Sequence, residues 1–463
     1  MKNGQITGIA AAREYINFFR DPIRCMRRMH EEHGPLTSLG SIAFGEPSKP
    51  HVLAVGPELN RQVMGDPSMF RTTGQFIRGP ENSAQRRLRF GLTRMTGPEH
   101  KRQRQLVMPP FHKKAVEGYH ALMVQATQSV IEGWKGGERY DMYREIRALT
   151  LRISSTILFS HDPAEASTIG TMLEEWQRRN FSTAVWLLPM NLPGTAFRRL
   201  LKHAERLEQE ILSMVQRRRA NPDKHTDVLS LLIQERDDDS RGMSDTELVG
   251  QSAILFGASF ETTASTLTWT LFLLAQHPEV MRELMKELDA VLNGAAPTKE
   301  QLAQLSYLEC VIKESMRILP PVPFTIRAAA QHTTLGGHPI PHGSRVICSH
   351  YLTHHLPEIY PEPERFQPER WRTIDPTQYE YMPFSAGPRA CIGAMFAMQV
   401  LKISLTLALQ KFRFELTPGA TIDRVVRITM VPRHGMPMSI FKNDREYRAT
   451  KVFGPIHEMV ALP

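Results

Sequence analysis

The run Phe384-Ser-Ala-Gly-Pro-Arg-Ala-Cys-Ile-Gly393 constrains this chain more than any other stretch. A cysteine alone is usually a small buried hydrophobe. Here Gly387 and Gly393 flank Cys391 and permit backbone shapes and close approaches that a side chain would block. Pro388 stiffens the loop, and Arg389 sets a fixed positive charge two residues before the sulfur. Residues 394–409 are apolar enough for a long helix, so the thiol stands near a helix N-terminus. Amide groups and the helix dipole there favour an anion. Only a thiolate ligates metal well, so the loop reads as a holder for a thiolate that a flat group can approach.

The 463 residues show no Ser/Gly-rich linker, low-complexity tract or internal repeat, which predicts one unit over 1–463. Hydrophobic residues, at 41%, supply a large core. The excess of 57 Lys and Arg over 48 Asp and Glu is mild for this length. No basic run is interleaved with aromatics, which argues against nucleic-acid binding, and the charge better suits an acidic protein partner. Cys25, Cys310, Cys348 and Cys391 lie far apart with no metal-knuckle spacing, against a disulfide scaffold or zinc site and for a reducing compartment. The N-terminus lacks an apolar core long enough for a signal peptide or membrane anchor. Residues 12–29 are basic and amphipathic, and are expected to pack on the body by their apolar face. The apolar segment 248–274 carries Gln251, Glu261 and several Thr and Ser, which predicts a buried internal helix and no span. The chain reads as a soluble, cytoplasmic monomer.

Helical patterns dominate, with small sheets at one side: a mostly α architecture with an α+β flavour. Ser244-Asp-Thr-Glu247 is a capping box opening a helix of about 30 residues that ends near His277-Pro278. Ser306-Tyr-Leu-Glu309 reads as another, its helix stopped by Pro320-Pro321. Further helices are expected over 115–134, 142–159, 168–179 and 195–219. Strands are expected over 50–55, 334–335 with the turn Gly336-Gly337, 345–348 and the tail 427–441.

The pattern Phe-x-x-Gly-x-Arg-x-Cys-x-Gly at Phe384, Gly387, Arg389, Cys391 and Gly393 resembles the haem-binding loop of the cytochrome P-450 monooxygenases, in their soluble prokaryotic form. The resemblance runs from about residue 30 to the C-terminus. It implies the P-450 fold, haem b ligated by Cys391, and O2 as cosubstrate. The chain ends about 70 residues beyond Cys391, which leaves no room for a fused reductase. Electrons would then come from a ferredoxin or flavodoxin with its NAD(P)H-dependent reductase.

Other motifs extend the likeness. Glu314-Ser-Met-Arg317 puts acid and base on one helix face, and with Arg370 resembles the family's Glu-x-x-Arg motif and partner arginine, a structural lock. His100 and Arg104, sharing a helix face, match the family's propionate contacts together with Arg327 and Arg389. In Ala258-Ser-Phe-Glu-Thr-Thr263 the Thr262 hydroxyl is positioned to bond back to the Ala258 carbonyl, bending the helix and opening a polar notch. This segment resembles the oxygen-activation motif, with Ser259 in place of the usual glycine, and implies proton delivery by Glu261 and Thr262. The segments that line the family's pocket here offer Phe76, Ile77, Leu255, Phe256, Ala258, Phe324, Thr325 and Ile428, an almost wholly apolar set that implies hydroxylation of a lipophilic small molecule. A peroxide-driven enzyme or a non-catalytic haem sensor or carrier would not need the acid–alcohol pair.

Overall fold

A helix of 32 residues, Asp245–Gln276, runs through the computed structural model, which describes residues 3–40, 49–74, 76–222 and 226–463. Its start is fixed by the predicted capping box: Ser244 Oγ accepts from the Glu247 amide (3.3 Å), and Glu247 accepts from the Ser244 amide (2.7 Å). From Leu248 onward its side chains are buried on nearly every face, as in a helix enclosed by others. Met142–Leu158, Pro163–Asn180, Ser306–Ile318 and Ala394–Lys411 pack around it. Within it Thr263, Thr268 and Thr270 donate to carbonyls four residues earlier. Among the described residues no helix is long and apolar enough to cross a membrane.

The strands lie to one side. A six-stranded sheet has the spatial order Asn3–Ile6, Leu36–Leu39, His51–Ala54, Arg345–Ser349, Phe324–Ala329, Phe70–Thr72. A smaller core on this sheet joins Val63 and Met64 of the helix Pro57–Gly65 to Val346, Met382 and Ala386. The approach to Cys391 is thereby seated on the sheet. Three-stranded and hairpin sheets complete the β structure, and the mostly helical architecture agrees with the sequence reading.

Four local expectations change. The amphipathic N-terminal stretch is two helices, Gly8–Arg20 and Pro22–His33, because Asp21 caps the second by accepting from the Arg24 amide (3.1 Å). Tyr15 and Phe18 face the body, while Ile9 and Phe19 stay exposed. The helix expected over 115–134 divides at Tyr119 into Lys113–Gly118 and His120–Ile131, just after Gly118. The tail is strand only at Met430–Pro432 and Pro437–Lys442, with Gly435 at φ 80° turning the chain between them. Ser306–Glu309 does not form a capping box. The Glu287 carboxylate, from the neighbouring helix Pro278–Leu292, instead accepts from Ser306 Oγ (3.2 Å) and from the amides of Tyr307 (2.7 Å) and Leu308 (2.9 Å). Glu309 is drawn off to Lys313 and Lys402, both at 2.8 Å.

Candidate active site

Glu314 and Arg317, one turn apart on Ser306–Ile318, are both completely buried. Glu314 accepts from Arg317 Nε and Nη2 and from Arg370 Nε, each at 2.9 Å. The Gln367 amide and Trp371 Nε1 add bonds of 3.0 Å. Two forks and two further donors leave the carboxylate fully satisfied, which a buried charge requires. Gln367 and Trp371 were not foreseen, because they reach Glu314 from the N-cap and body of a short 3-10 helix, Pro368–Arg372, that is too brief to show a period in the sequence. Arg317 Nη1 also donates to the His354 carbonyl (2.9 Å), and His354 Nε2 accepts from the Met382 amide (2.8 Å). The lock thus reaches the segment leading to Cys391 through a histidine that burial holds well below its usual pKa, in its neutral form.

In the loop itself, the Cys391 amide donates to the Phe384 carbonyl (2.8 Å) and closes the turn. Gly387 sits at φ 66°, and a Cβ there would lie 2.5 Å from the Met64 carbonyl, so this position demands glycine. Gly393, at φ −90°, makes no such demand; its amide, bonded to the sulfur, is what it contributes. Cys391 is accessible to solvent, yet burial pushes its thiol pKa up, while the Gly393 amide and the Arg104 charge pull it down. A group that water reaches but protein encloses lines an internal recess. Cys25 and Cys348 are buried with thiols pushed up to about 12, and half-buried Cys310 is also raised, whereas Cys391 is exposed to solvent.

The four predicted cations converge from three segments. Arg104 Nη1 donates to the Ala390 carbonyl (3.0 Å), next to the cysteine. Arg389 donates to the carbonyls of Leu92 (3.3 Å) and Met95 (2.5 Å). Burial, then the charges of Arg327 and Arg104, lower Arg389 to about 10. Burial, then Arg389 and Arg104, lower His100 to about 4. Arg327 is buried and lowered by that burial. Among the described residues no carboxylate pairs with any of the four. A thiol at a helix N-terminus beside three arginines and a neutral histidine, none of them paired with an acid, fits a haem, whose two propionates are the anions such a set lacks.

The central helix continues unbroken past Thr262, so the expected bend does not interrupt it. The hydroxyl is used as predicted, Thr262 Oγ1 donating to the Ala258 carbonyl (2.9 Å), and Ser259 Oγ donates to the Phe256 carbonyl (2.8 Å). Ala258 is exposed, as recess wall would be. Glu261 turns toward Met142–Leu158, accepting from Tyr143 Oη (2.7 Å) and pairing with Arg147 (3.1 Å). Arg147 also holds Glu174 at 2.6 Å. Sequence spacing gave no sign of these partners.

The pocket set divides. Phe256 is wholly buried between the rings of Phe159 (5.9 Å) and Phe260 (5.1 Å), so it is core and no part of a substrate wall. Ile77 and Leu255 are buried as well, at 7% and 8% exposed. Phe76 stacks on Trp176 and Phe181 at 5.1 and 5.4 Å. Phe324 meets Phe18 at 5.3 Å, whereas Thr325 bonds to His350 (3.3 Å), on the opposite face of the strand, which it shares with Arg327. Half-buried Ile428 lies at a hairpin tip anchored through Met430, which bonds to Pro321 (2.9 Å), Ser265 (2.6 Å) and Trp269 (3.0 Å).

A sequence profile described as cytochrome P-450 matches residues 15–436. The cyclooctat-9-en-7-ol 5-monooxygenase of Streptomyces melanosporofaciens is 33% identical over 400 residues, 84% of each chain. The pentalenene oxygenase of Streptomyces avermitilis is 29% identical, over 81% of this chain and 84% of its own. Among solved structures, retinoic acid-bound cyanobacterial CYP120A1 superposes with a TM-score of 0.80 at 25% identity, covering 93% of this chain and 96% of its own. Profile, relatives and fold agree: the chain belongs to the cytochrome P-450 family and is a haem monooxygenase.

Proposed function

We propose that the protein hydroxylates a lipophilic small molecule beside haem b, with electrons from a separate ferredoxin or flavodoxin and its NAD(P)H-dependent reductase. The observation that carries this is the meeting of an enclosed, accessible Cys391 with His100, Arg104, Arg327 and Arg389, brought together without an acid. When bound, the haem supplies the iron that takes up and reductively activates O2. Cys391 would ligate it as thiolate, its charge stabilised by the Gly393 amide and Arg104. Arg104, Arg327 and Arg389, with neutral His100 as a hydrogen-bond donor, would hold the propionates and fix the cofactor's orientation.

Thr262 gives its proton to the Ala258 carbonyl, so its lone pairs face outward to accept from a water and hold that water in place. Glu261 would feed protons to this water once its carboxylate leaves Tyr143 and Arg147. The names of the monooxygenase and oxygenase relatives, and the apolar side chains of Ala258 and Ile428, support a lipophilic substrate. For the electron carrier, Lys113 and Lys114 lie on a short helix packed against Ala394–Lys411, where an acidic protein would approach the thiolate side. Four free cysteines suit the cytoplasm.

The test is spectral first and catalytic second. Reduced protein with carbon monoxide should give the red-shifted Soret band of thiolate ligation, lost in Cys391→His. With a ferredoxin system and a lipophilic library, product should carry one atom from labelled O2. A histidine-type band overturns the ligand assignment. A correct band with no product from any compound favours the sensor.

A further inference from the structure

A second acid-free group of arginines lies on the segment joining the helices Ala84–Leu88 and Gly97–Val107. Arg89 is 8% exposed, and its Nε is buried without a hydrogen-bond partner. Its charged neighbours are Arg94, Arg78 and Arg86; burial, then those like charges, lower its pKa to about 10. Arg94 is solvent-accessible yet also lowered by burial, the combination seen at Cys391. Of the neighbouring arginines, Arg86 lies 3.9 Å from the largely exposed carboxylate of Glu81. Among the described residues no carboxylate pairs with Arg89 or Arg94.

The two guanidinium groups converge over the backbone of Gly74, which leaves no room for a side chain there. A Cβ at Gly74 would overlap Arg94 Nη1 and would meet Arg89 Nη2 at 3.4 Å. That spot borders the haem cations on two sides. Thr72 pairs in register with Arg327, and Thr73 Oγ1 donates to the Ile326 carbonyl (3.5 Å). Leu92 and Met95, between and beyond the two arginines, accept from Arg389. His100, Arg104, Arg327 and Arg389 already match two propionates, so this second group is surplus to the cofactor. Burying guanidinium groups side by side opposes folding unless an anion is bound there, and paired forks match a carboxylate in geometry as well as charge.

We propose that Arg89 and Arg94 clamp the carboxylate of the substrate at Gly74, which makes the substrate a lipophilic carboxylic acid. The proposal deepens the monooxygenase reading and rests on it. The clamp sets one end of the molecule, and the distance from Gly74 to the reacting position then selects which carbon is oxidised.

The holoprotein is titrated with the saturated acids from octanoic to hexadecanoic, their methyl esters and the matching alcohols, following the spin-state shift of the haem. At least one acid should bind about tenfold or more tighter than its ester and alcohol. Arg94→Gln should remove that preference while leaving haem content and ester affinity unchanged. Arg89→Gln should do the same, with the exposed Arg94 variant deciding the matter if the buried one folds poorly. Equal affinity for acid and ester, no shift with any acid, or an unchanged preference in Arg94→Gln overturns the clamp. Loss of haem from Arg94→Gln also overturns it and assigns the arginine to the propionates. Failure of the underlying reading looks different: the wild type would lack the thiolate carbon monoxide band altogether.

Discussion

Glu314 shows how much can hang on one carboxylate. Glu314→Gln keeps the shape but removes the charge that balances two buried guanidinium groups, so a loss of about 3–5 kcal/mol is expected. Measured by denaturant unfolding, that loss should come with a collapse in haem-loaded yield. Thr262→Ala tests the distal side. Cofactor oxidation should persist while product per electron pair falls and hydrogen peroxide rises; if the ratio holds even when Ser259 is also replaced, the hydroxyl has no part in proton delivery. Residues with local signals were legible in the chain: Glu314 and Arg317 by spacing, Cys391 by its glycines, Thr262 by its place in an apolar helix. Partners that arrive from elsewhere were not, since nothing in the sequence around Glu261 announces Arg147, and nothing before Arg89 announces Gly74.

Among elements, the helix Ser306–Ile318 separates pattern from physics. Its first residues spell a capping box, but the cap comes from Glu287 on the helix Pro278–Leu292. Glu287→Ala should therefore cost about 1–2 kcal/mol in urea unfolding, and Ser306→Ala clearly less. The reverse order would mean that the local box forms in solution. Ser244–Glu247 has the same spelling and does form its box, Glu247 Oε2 accepting from the Ser244 amide while Oε1 pairs with Arg102. Long periodic helices were readable for this reason: apolar spacing is a local property. The division at Tyr119 and the short strands of the tail depend on what they pack against, and so escaped.

For the whole molecule, buried neutral histidines set the acid limit. Burial lowers His51 and His350 to about 4, lowers His277, and holds His354 and His355 well below the usual range. The unfolded chain takes up these protons near pH 6.5 while the folded chain does not. The unfolded state thus binds more protons below that point, and stability falls as pH drops from about 6.5 toward 4. Each such histidine adds up to about 1.4 kcal/mol per pH unit. Urea midpoints at pH 7.5, 6 and 5 should show this decline, and His51→Gln should make it shallower by the share of one histidine; a flat profile in the wild type would mean these rings protonate in place. The mostly helical class was visible from composition and period, whereas the strand order, which brings residues 3 and 349 into one sheet, was not.

The arginines that serve Glu314 grip main chain almost everywhere else. Arg317 holds the carbonyls of His354 and Arg365, and Arg370 those of Pro361, Glu362 and Arg365. A carbonyl is the same on every residue, so the lock reads the length of this stretch and not its spelling. Substitutions at Glu358, Glu362 or Glu364 should therefore pass with near-normal haem content, while deleting any one residue between 356 and 364 should abolish it. A similar deletion in the exposed turn around Met190 should be tolerated. Drift in letters without drift in count is the mutational signature expected of this stretch.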